Sequence, residues 1–347
     1  MIIFFQVSGR WLGVAWLAWL AGACGGNAAR RPADGQAAPA ASAGAGGQTS
    51  LAPGTVAGRG HPHVFVIPME NESTGAIYGG ANAPYINGTL LPAYASSSNF
   101  ADELPGLPSE PHYVWMEAGT NAFPDHTFQT DSSPSASNST ASTQHLVTQI
   151  EAAGGGLDWT EYVEEVDLSA QPCPISGVGT YVPRHDPFLF FQDVVGSPPS
   201  KTAGRCAAHH KPLTALASDL AAGSVPAYVF VTPSLCHDMH GSSSCPSGDK
   251  VQAGDAWLMN ALPPLIDYVG ANGGVIFLVW DEGGSQPNMP FIAIGPTVKR
   301  GYSSPVPLDH GSLLKTVEEM LGLPILPTVQ AAADLGDLFA SGSVPTP

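Results

Sequence analysis

Three short runs limit the architecture more than any other feature: His63–Pro68 (HVFVIP), Ala227–Thr232 (AYVFVT) and Gly274–Trp280 (GVIFLVW). Each is β-branched or aromatic at almost every position and is bounded by Gly or Pro. None shows the polar alternation of a strand with one wet face. A strand without a polar face must be covered on both sides, as in parallel sheets whose crossover helices pack above and below. Tyr113–Met116 and Pro290–Ile294 read as two further strands. Apolar residues at helical spacing lie between the runs, over Thr143–Ala152, Lys211–Ala222, Asp255–Gly270 and Gly311–Leu321, with Asp309 placed to cap the last. Strand and helix in alternation predict an α/β fold with a central, largely parallel sheet flanked by helices. Gly at 40 and Pro at 33 make it loop-rich.

Charge narrows the function. The chain carries 12 Lys plus Arg against 29 Asp plus Glu, a net charge of −17 with His neutral. That balance excludes a nucleic-acid partner, which needs a basic footprint. No Lys or Arg occurs between Arg59 and Arg184, a stretch that holds 14 of the 29 acids. An anion handled there must meet a cation that side chains do not supply.

The N-terminus reads as an export signal: Arg10, then an apolar run from Trp11 to Ala23 that is short for a membrane span. Ala21-Gly22-Ala23-Cys24 fits either lipoprotein processing, with Cys24 lipidated, or ordinary cleavage. On either reading the protein is exported, as a periplasmic, membrane-anchored or extracellular protein, and meets a membrane only through such an anchor. Residues 25–60 are small and polar and read as a flexible tether. A single catalytic domain is expected over residues 61–340. Cys173, Cys206, Cys236 and Cys245 remain, and an exported chain with four Cys predicts two disulfides from three connectivities. Cys236 and Cys245 flank a short Ser-rich loop, which favours that pair and leaves Cys173 with Cys206.

The three apolar strands end alike. The first runs into Glu70-Asn71-Glu72-Ser73, the second into Ser234 to His240, and the third into Asp281-Glu282-Gly283-Gly284. Ligands of open α/β sheets sit beyond the carboxyl ends of the strands. Carboxylates, an amide and imidazoles at one rim suit a hard or borderline divalent cation. One acid after a strand is more often a cap or a solvated charge; three such ends together point to a site. The Gly-x-Ser-x-Gly elbow of the α/β-hydrolases is absent. Thr120, in Glu117-Ala118-Gly119-Thr120-Asn121, is the candidate nucleophile, although a Thr there also fits a simple helix cap.

In order along the chain come Glu70-Asn71-x-Ser73, Tyr113…Gly119-Thr120, Arg184-His185-Asp186-Pro187-Phe188, Thr232-Pro233-Ser234-Leu235-x-x-Asp238-Met239-His240, Gly254-Asp255-Ala256-Trp257-Leu258, Asp281-Glu282 and His310-x-Ser312-Leu313-Leu314. This set resembles the bacterial phosphoesterase family of acid phosphatases and phospholipases C, within the alkaline-phosphatase superfamily, over about residues 61–323. The resemblance implies an alkaline-phosphatase-like fold and one divalent metal ion of unspecified identity. It implies Glu70 with Asn71 and Asp281 with Glu282 as metal ligands. It matches Thr120 to the nucleophile that forms a phospho-enzyme, and His185 and His240 to residues that contact the phosphoryl group and protonate the leaving oxygen. His310 also matches a family position, with a structural role as the plainer reading.

Departures from the family pattern border the site: His112 stands where Asn is usual, Arg184 where Lys is usual, Asp186 where Asn is usual, and Ser234 and His237 also where Asn is usual. The expected function is a metal-dependent phosphoric-ester hydrolase of acid phosphatase type, acting on a small phosphate ester or phospholipid. Phospholipase C or another phosphodiesterase is the first alternative, and a non-catalytic surface-anchored binding lipoprotein the second. The 11 His favour acidic conditions for an anionic substrate. Plainer readings fit the remaining polar residues. His209-His210 reads as a solvated helix start, Glu161–Asp167 as a solvated helix face, Asp255 as a cap for its own helix, and Thr130–Thr143 as an exposed loop.

Overall fold

The computed structural model describes residues 60–284 and 286–347; the expected signal and tether lie outside the described residues. Eight strands form one sheet: β1 His63–Met69, β2 Ala95–Ala101, β3 Trp159–Val163, β4 His210–Pro212, β5 Tyr228–Thr232, β6 Gly274–Trp280, β7 Asn288–Ile294 and β8 Tyr302–Ser304. The order is β4-β3-β5-β1-β6-β7-β2-β8. Five pairings are parallel and two, β6 with β7 and β7 with β2, are antiparallel. The three diagnostic apolar runs are therefore neighbours at the centre, β5-β1-β6, and almost every residue in them is buried.

Five longer helices cover the sheet: α1 Ser109–Ala118, α2 Leu146–Ala153, α3 Leu216–Ala222, α4 Lys250–Asn272 and α5 His310–Leu321. Side-chain register places them. Val66 pairs with Phe230, and Phe230 meets the Tyr113 ring of α1 edge-on. Phe65, one residue along, meets Tyr268 of α4. Adjacent residues of a strand point to opposite faces, so α1 and α4 lie on opposite sides of the sheet. Helices α1, α2 and α5 pack together on the first side. Asp309 caps α5 as expected, in a reciprocal box with Ser312 (2.8 Å and 3.2 Å) worth about 1 kcal/mol.

Several expectations are corrected. Tyr113–Met116 is the middle of α1, not a strand: four apolar residues cannot distinguish a strand from a buried helix. The helix signals lie on either side, with Pro111 in the first turn and Gly119 closing the helix at φ +64°. Glu161 is not on a solvated helix face but fully buried in β3, and His210 is likewise buried in β4. Asp255 lies inside α4, whose cap is Asp249; its carboxylate accepts the Tyr85 and Ile86 N–H groups at 2.9 Å each. Strand β2 (ASSSNFA) went unpredicted because its buried Ser residues carry no apolar signal. The disulfides are Cys173–Cys206 and Cys236–Cys245, the favoured pairing.

Candidate active site

The carboxyl ends of β5, β1 and β6 are stitched together before any side chain acts. Glu70 N–H donates to the Asp238 carbonyl (2.7 Å), Asp281 N–H to the Met69 carbonyl (3.0 Å), and Asn71 N–H to Asp281 Oδ1 (3.0 Å). Two residues here have left-handed backbones, Asn71 (φ +49°) and Met239 (φ +78°). Asn tolerates that region; for Met it is costly and must be imposed by the surroundings. Met239 is fully buried against Gly254 of α4, where an added Cβ would lie 2.4 Å from Met239 Cγ. The absent side chain at Gly254 is what lets the Asp238-Met239-His240 turn sit down.

Glu70 is the centre of the group and fully buried. Its Oε1 accepts from the Tyr113 hydroxyl (2.7 Å), and its Oε2 from Ser109 Oγ and Asn71 Nδ2 (both 3.0 Å). The His185 ring stacks on Tyr113 at 5.0 Å. One ring nitrogen lies 3.2 Å from Glu70 Oε1 and the other 3.3 Å from Asp238 Oδ2, neither in hydrogen-bonding geometry. Burial, with the nearby Asp281 and Asp238 charges, raises the Glu70 pKa well above the ordinary range. Burial likewise raises Asp238, and burial with the Asp281 charge raises Glu282 to about 7. Burial, reinforced by the Arg184 charge, drives His185 well below its usual value, so its ring is neutral.

Four carboxylates and a neutral imidazole have thus been taken out of water with little to balance them. Asp238 Oδ2, Asp281 Oδ2 and His185 Nε2 are buried without a hydrogen-bond partner. Ligands of Glu70, His185 and Asp238 lie within 4.8 Å of one another. Unpartnered buried carboxylate oxygens and an imidazole nitrogen are the donors that a divalent cation takes. The residues fit a divalent cation.

A second buried group, Glu161, Asp186 and His210, contrasts with the first. His210 Nε2 lies 2.9 Å from both carboxylates and Nδ1 is 2.7 Å from the Cys206 carbonyl. The Asp186 and Cys206 contacts are hydrogen bonds, and Glu161 adds an ion pair at the same distance. Burial would lower the His210 pKa, but Asp186 and Glu161 outweigh it and raise it well above the usual value. The group is a proton-linked strut under the loop that carries His185.

The expected residues Glu70, Asn71, His185 and Asp281 meet here, with Glu282 half-buried beside Asp281. His240 joins through its backbone N–H to Asp238 Oδ1 (2.7 Å), and its Nε2 lies 3.5 Å from Arg184 Nη2. His310 is a strut, clamped between Glu103 (2.7 Å) and the Trp280 carbonyl (2.8 Å) just before Asp281. Thr120 is not brought in. It follows the far end of α1, roughly 16 Å along the helix axis from Ser109 at 1.5 Å per residue, and its hydroxyl bonds only to Ala122 backbone (3.1 and 3.2 Å). Reading Tyr113–Met116 as a strand aimed the wrong end of the element at the site. Ser109, the first residue of α1, lies beside Glu70 instead; the Ser before Glu-Pro at a helix start was its only signal.

A model of the phosphoesterase family matches residues 103–324, almost two thirds of the chain. The chain belongs to the phosphoesterase family. The matched stretch includes Ser109, His185, Asp238, His240 and the Asp281-Glu282 pair, and membership makes the protein a phosphoric-ester hydrolase. It is 28% identical over 264 residues to a phosphatidylinositol-3-phosphatase of Mycobacterium tuberculosis, covering 76% of this chain and 77% of that protein. It is 26% identical over 195 residues to a phosphate-repressible acid phosphatase of Penicillium chrysogenum, covering 53% of this chain but 44% of that protein. Among solved structures, a protein of the alkaline phosphatase superfamily from Vibrio parahaemolyticus superposes with a TM-score of 0.51 at 12% identity, over 79% of this chain and 69% of that one. A phosphonate monoester hydrolase from Silicibacter pomeroyi gives 0.50 at 12%, over 82% and 77%. The phosphoesterase fold is thus alkaline-phosphatase-like.

Proposed function

We propose that this phosphoesterase is a metal-dependent phosphomonoesterase that works through a covalent intermediate on Ser109, in place of the expected Thr120. The observation that carries this is the Ser109 hydroxyl, at the first position of α1 and 3.0 Å from Glu70 Oε2, inside the carboxylate group. A helix start favours a bound anion through its free N–H groups. A divalent cation held by Glu70, Asp238 and Asp281, with Asn71 and Glu282 adjoining, would neutralise phosphoryl oxygens and ease deprotonation of the hydroxyl.

The chain's own residues supply the rest. Glu70 Oε2 takes the Ser109 proton as Oγ attacks phosphorus, and the bond from phosphorus to the leaving oxygen breaks. His240, whose Nδ1 donates to the Gly241 carbonyl (2.8 Å), turns Nε2 towards Arg184 and the site; its protonated form hands that proton to the leaving oxygen. Water, giving its proton to His240, then attacks phosphorus; the Ser109 Oγ–P bond breaks, Oγ takes its proton back from Glu70 Oε2, and phosphate leaves. Tyr113, on which neutral His185 stacks, holds Glu70 in place throughout.

Acid phosphatase relatives support a small phosphomonoester, and the mycobacterial relative supports testing a phosphorylated inositol lipid beside it. The two disulfides support export to an oxidising compartment. The test is turnover of p-nitrophenyl phosphate by Ser109→Ala and Thr120→Ala. We expect a loss of at least a thousandfold in kcat for the first and less than threefold for the second. The reverse result would restore Thr120 and overturn this mechanism. Faster turnover of bis(p-nitrophenyl) phosphate than of the monoester would favour a phosphodiesterase.

A further inference from the structure

The Thr130–Thr143 segment, expected to be an exposed loop, folds back on the first turn of α1. Ser132 N–H donates to Glu110 Oε2 (2.6 Å) and Asn138 Nδ2 to Glu110 Oε1 (3.1 Å). This docking carries Asp131 to the edge of the site. One of its carboxylate oxygens, Oδ1, accepts the Glu110 N–H (3.0 Å), a donor one residue from Ser109. The other, Oδ2, lies 3.1 Å from Arg184 Nε. Arg184 in turn reaches His240, and with Asp131, Ser132 and Ser133 it lines a cavity of about 250 Å³. A helix-start N–H and a guanidinium are the groups that a phosphoryl anion seeks, and one carboxylate hydrogen-bonds the first and forms an ion pair, outside hydrogen-bond geometry, with the second. The Arg184 and Asp131 side chains keep 21% and 35% of their exposure, so water can take over either one when they part.

We propose that Asp131 is a built-in competitor for the phosphate anion: substrate gains Arg184 only by displacing Asp131, and the re-forming pair helps to expel product phosphate. Asp131 is thus a positioning residue that acts through Arg184, and it sets affinity for phosphate without entering the chemistry. The inference rests on the phosphoric-ester reading of the site, but it can fail separately.

The test uses four metal-loaded proteins: wild type, Asp131→Asn, Arg184→Gln and the double variant. The Asn oxygen still accepts the Glu110 N–H, so only the charge is removed. Should Asp131→Asn fold poorly, Asp131→Ser keeps an acceptor in a shorter side chain. With Arg184 present, Asp131→Asn should lower both the inhibition constant of inorganic phosphate and KM about fivefold, the scale of a partly exposed ion pair. In the Arg184→Gln background it should change neither. An unchanged phosphate constant with Arg184 present, or an equal shift in both backgrounds, overturns the proposal. If no ester is turned over, the hydrolase reading fails, yet calorimetric binding of phosphate to the same four proteins still reads the pair. Absence of phosphate binding to both wild type and Asp131→Asn would overturn it as well.

Discussion

Replacing His112 by Asn isolates one buried charge at the rim of the site. His112 has no exposed surface; Nε2 meets Asp102 at 3.0 Å and Nδ1 the Pro108 carbonyl at 2.9 Å, so it ties the residue before Ser109 to a carboxylate. Burial would lower its pKa, but the Asp102 hydrogen bond and the Glu103 and Asp281 charges outweigh burial and raise it to about 9 from an ordinary 6.5. The folded protein therefore binds this proton more tightly than the unfolded chain. Its stabilisation is fully present below pH 6.5 and is lost as pH rises through about 9. At 1.36 kcal/mol per pH unit the interval is worth about 3 kcal/mol. A cation beside Asp281 would offset part of the attraction, leaving about 2 kcal/mol in the metal-loaded protein. Urea unfolding of wild type and His112→Asn from pH 6 to 9 measures this. Any difference in shape between the side chains shifts the two curves by a constant, so the informative quantity is the change in the gap. We expect wild type to lose its advantage by about 2–3 kcal/mol over that range. A gap that stays constant would show that His112 is neutral and the reasoning wrong.

Four further outcomes follow from contacts described above. Tyr113→Phe removes the donor to Glu70 Oε1 and should weaken metal binding about 10-fold to 100-fold in a competitive chelator titration; unaltered affinity would remove Tyr113 from the support of Glu70. Gly254→Ala places a methyl 2.4 Å from Met239 Cγ and 3.0 Å from the His237 carbonyl, and should cost about 1–3 kcal/mol in thermal unfolding, with a clear loss of kcat; unchanged values would mean the turn is not wedged there. His210→Ala strips the shared partner from Glu161 and Asp186 and should destabilise by about 3–5 kcal/mol in urea, whereas a neutral effect would deny the buried charge pairing. Exhaustive chelation should lower Tm, because the carboxylates then repel one another, and adding single metals back should identify the ion by which one restores Tm and rate.

Whatever depended on apolar continuity was legible in the sequence. The strands β5, β1 and β6, and the acids after them, follow from runs with no polar face, and such runs can only be central. The hydroxyl beside Glu70, that of Ser109, was not legible for a related reason. Tyr113–Met116 is too short to carry a period, and once read as a strand it directed attention to its C-terminal end, where Thr120 stands. Buried polar partners were hidden more thoroughly. Glu161 and His210 look like surface residues one at a time, and only the pairing of β3 with β4, between residues far apart in the chain, makes them partners. Asp131 is the same case in a loop: its low-complexity surroundings conceal a carboxylate aimed at Arg184.

The Cys236–Cys245 bridge closes a ring around Asp238, Met239 and His240. Closing a loop of that size removes about 3 kcal/mol of disorder from the unfolded chain. Asp238 of that ring adjoins Glu70 and His185, and His240 is bonded to it, so the covalent link borders the candidate site. Joining the two sulfurs shortens the free path of the loop that carries Asp238 and His240, so the bridge constrains the candidate site as well as the fold.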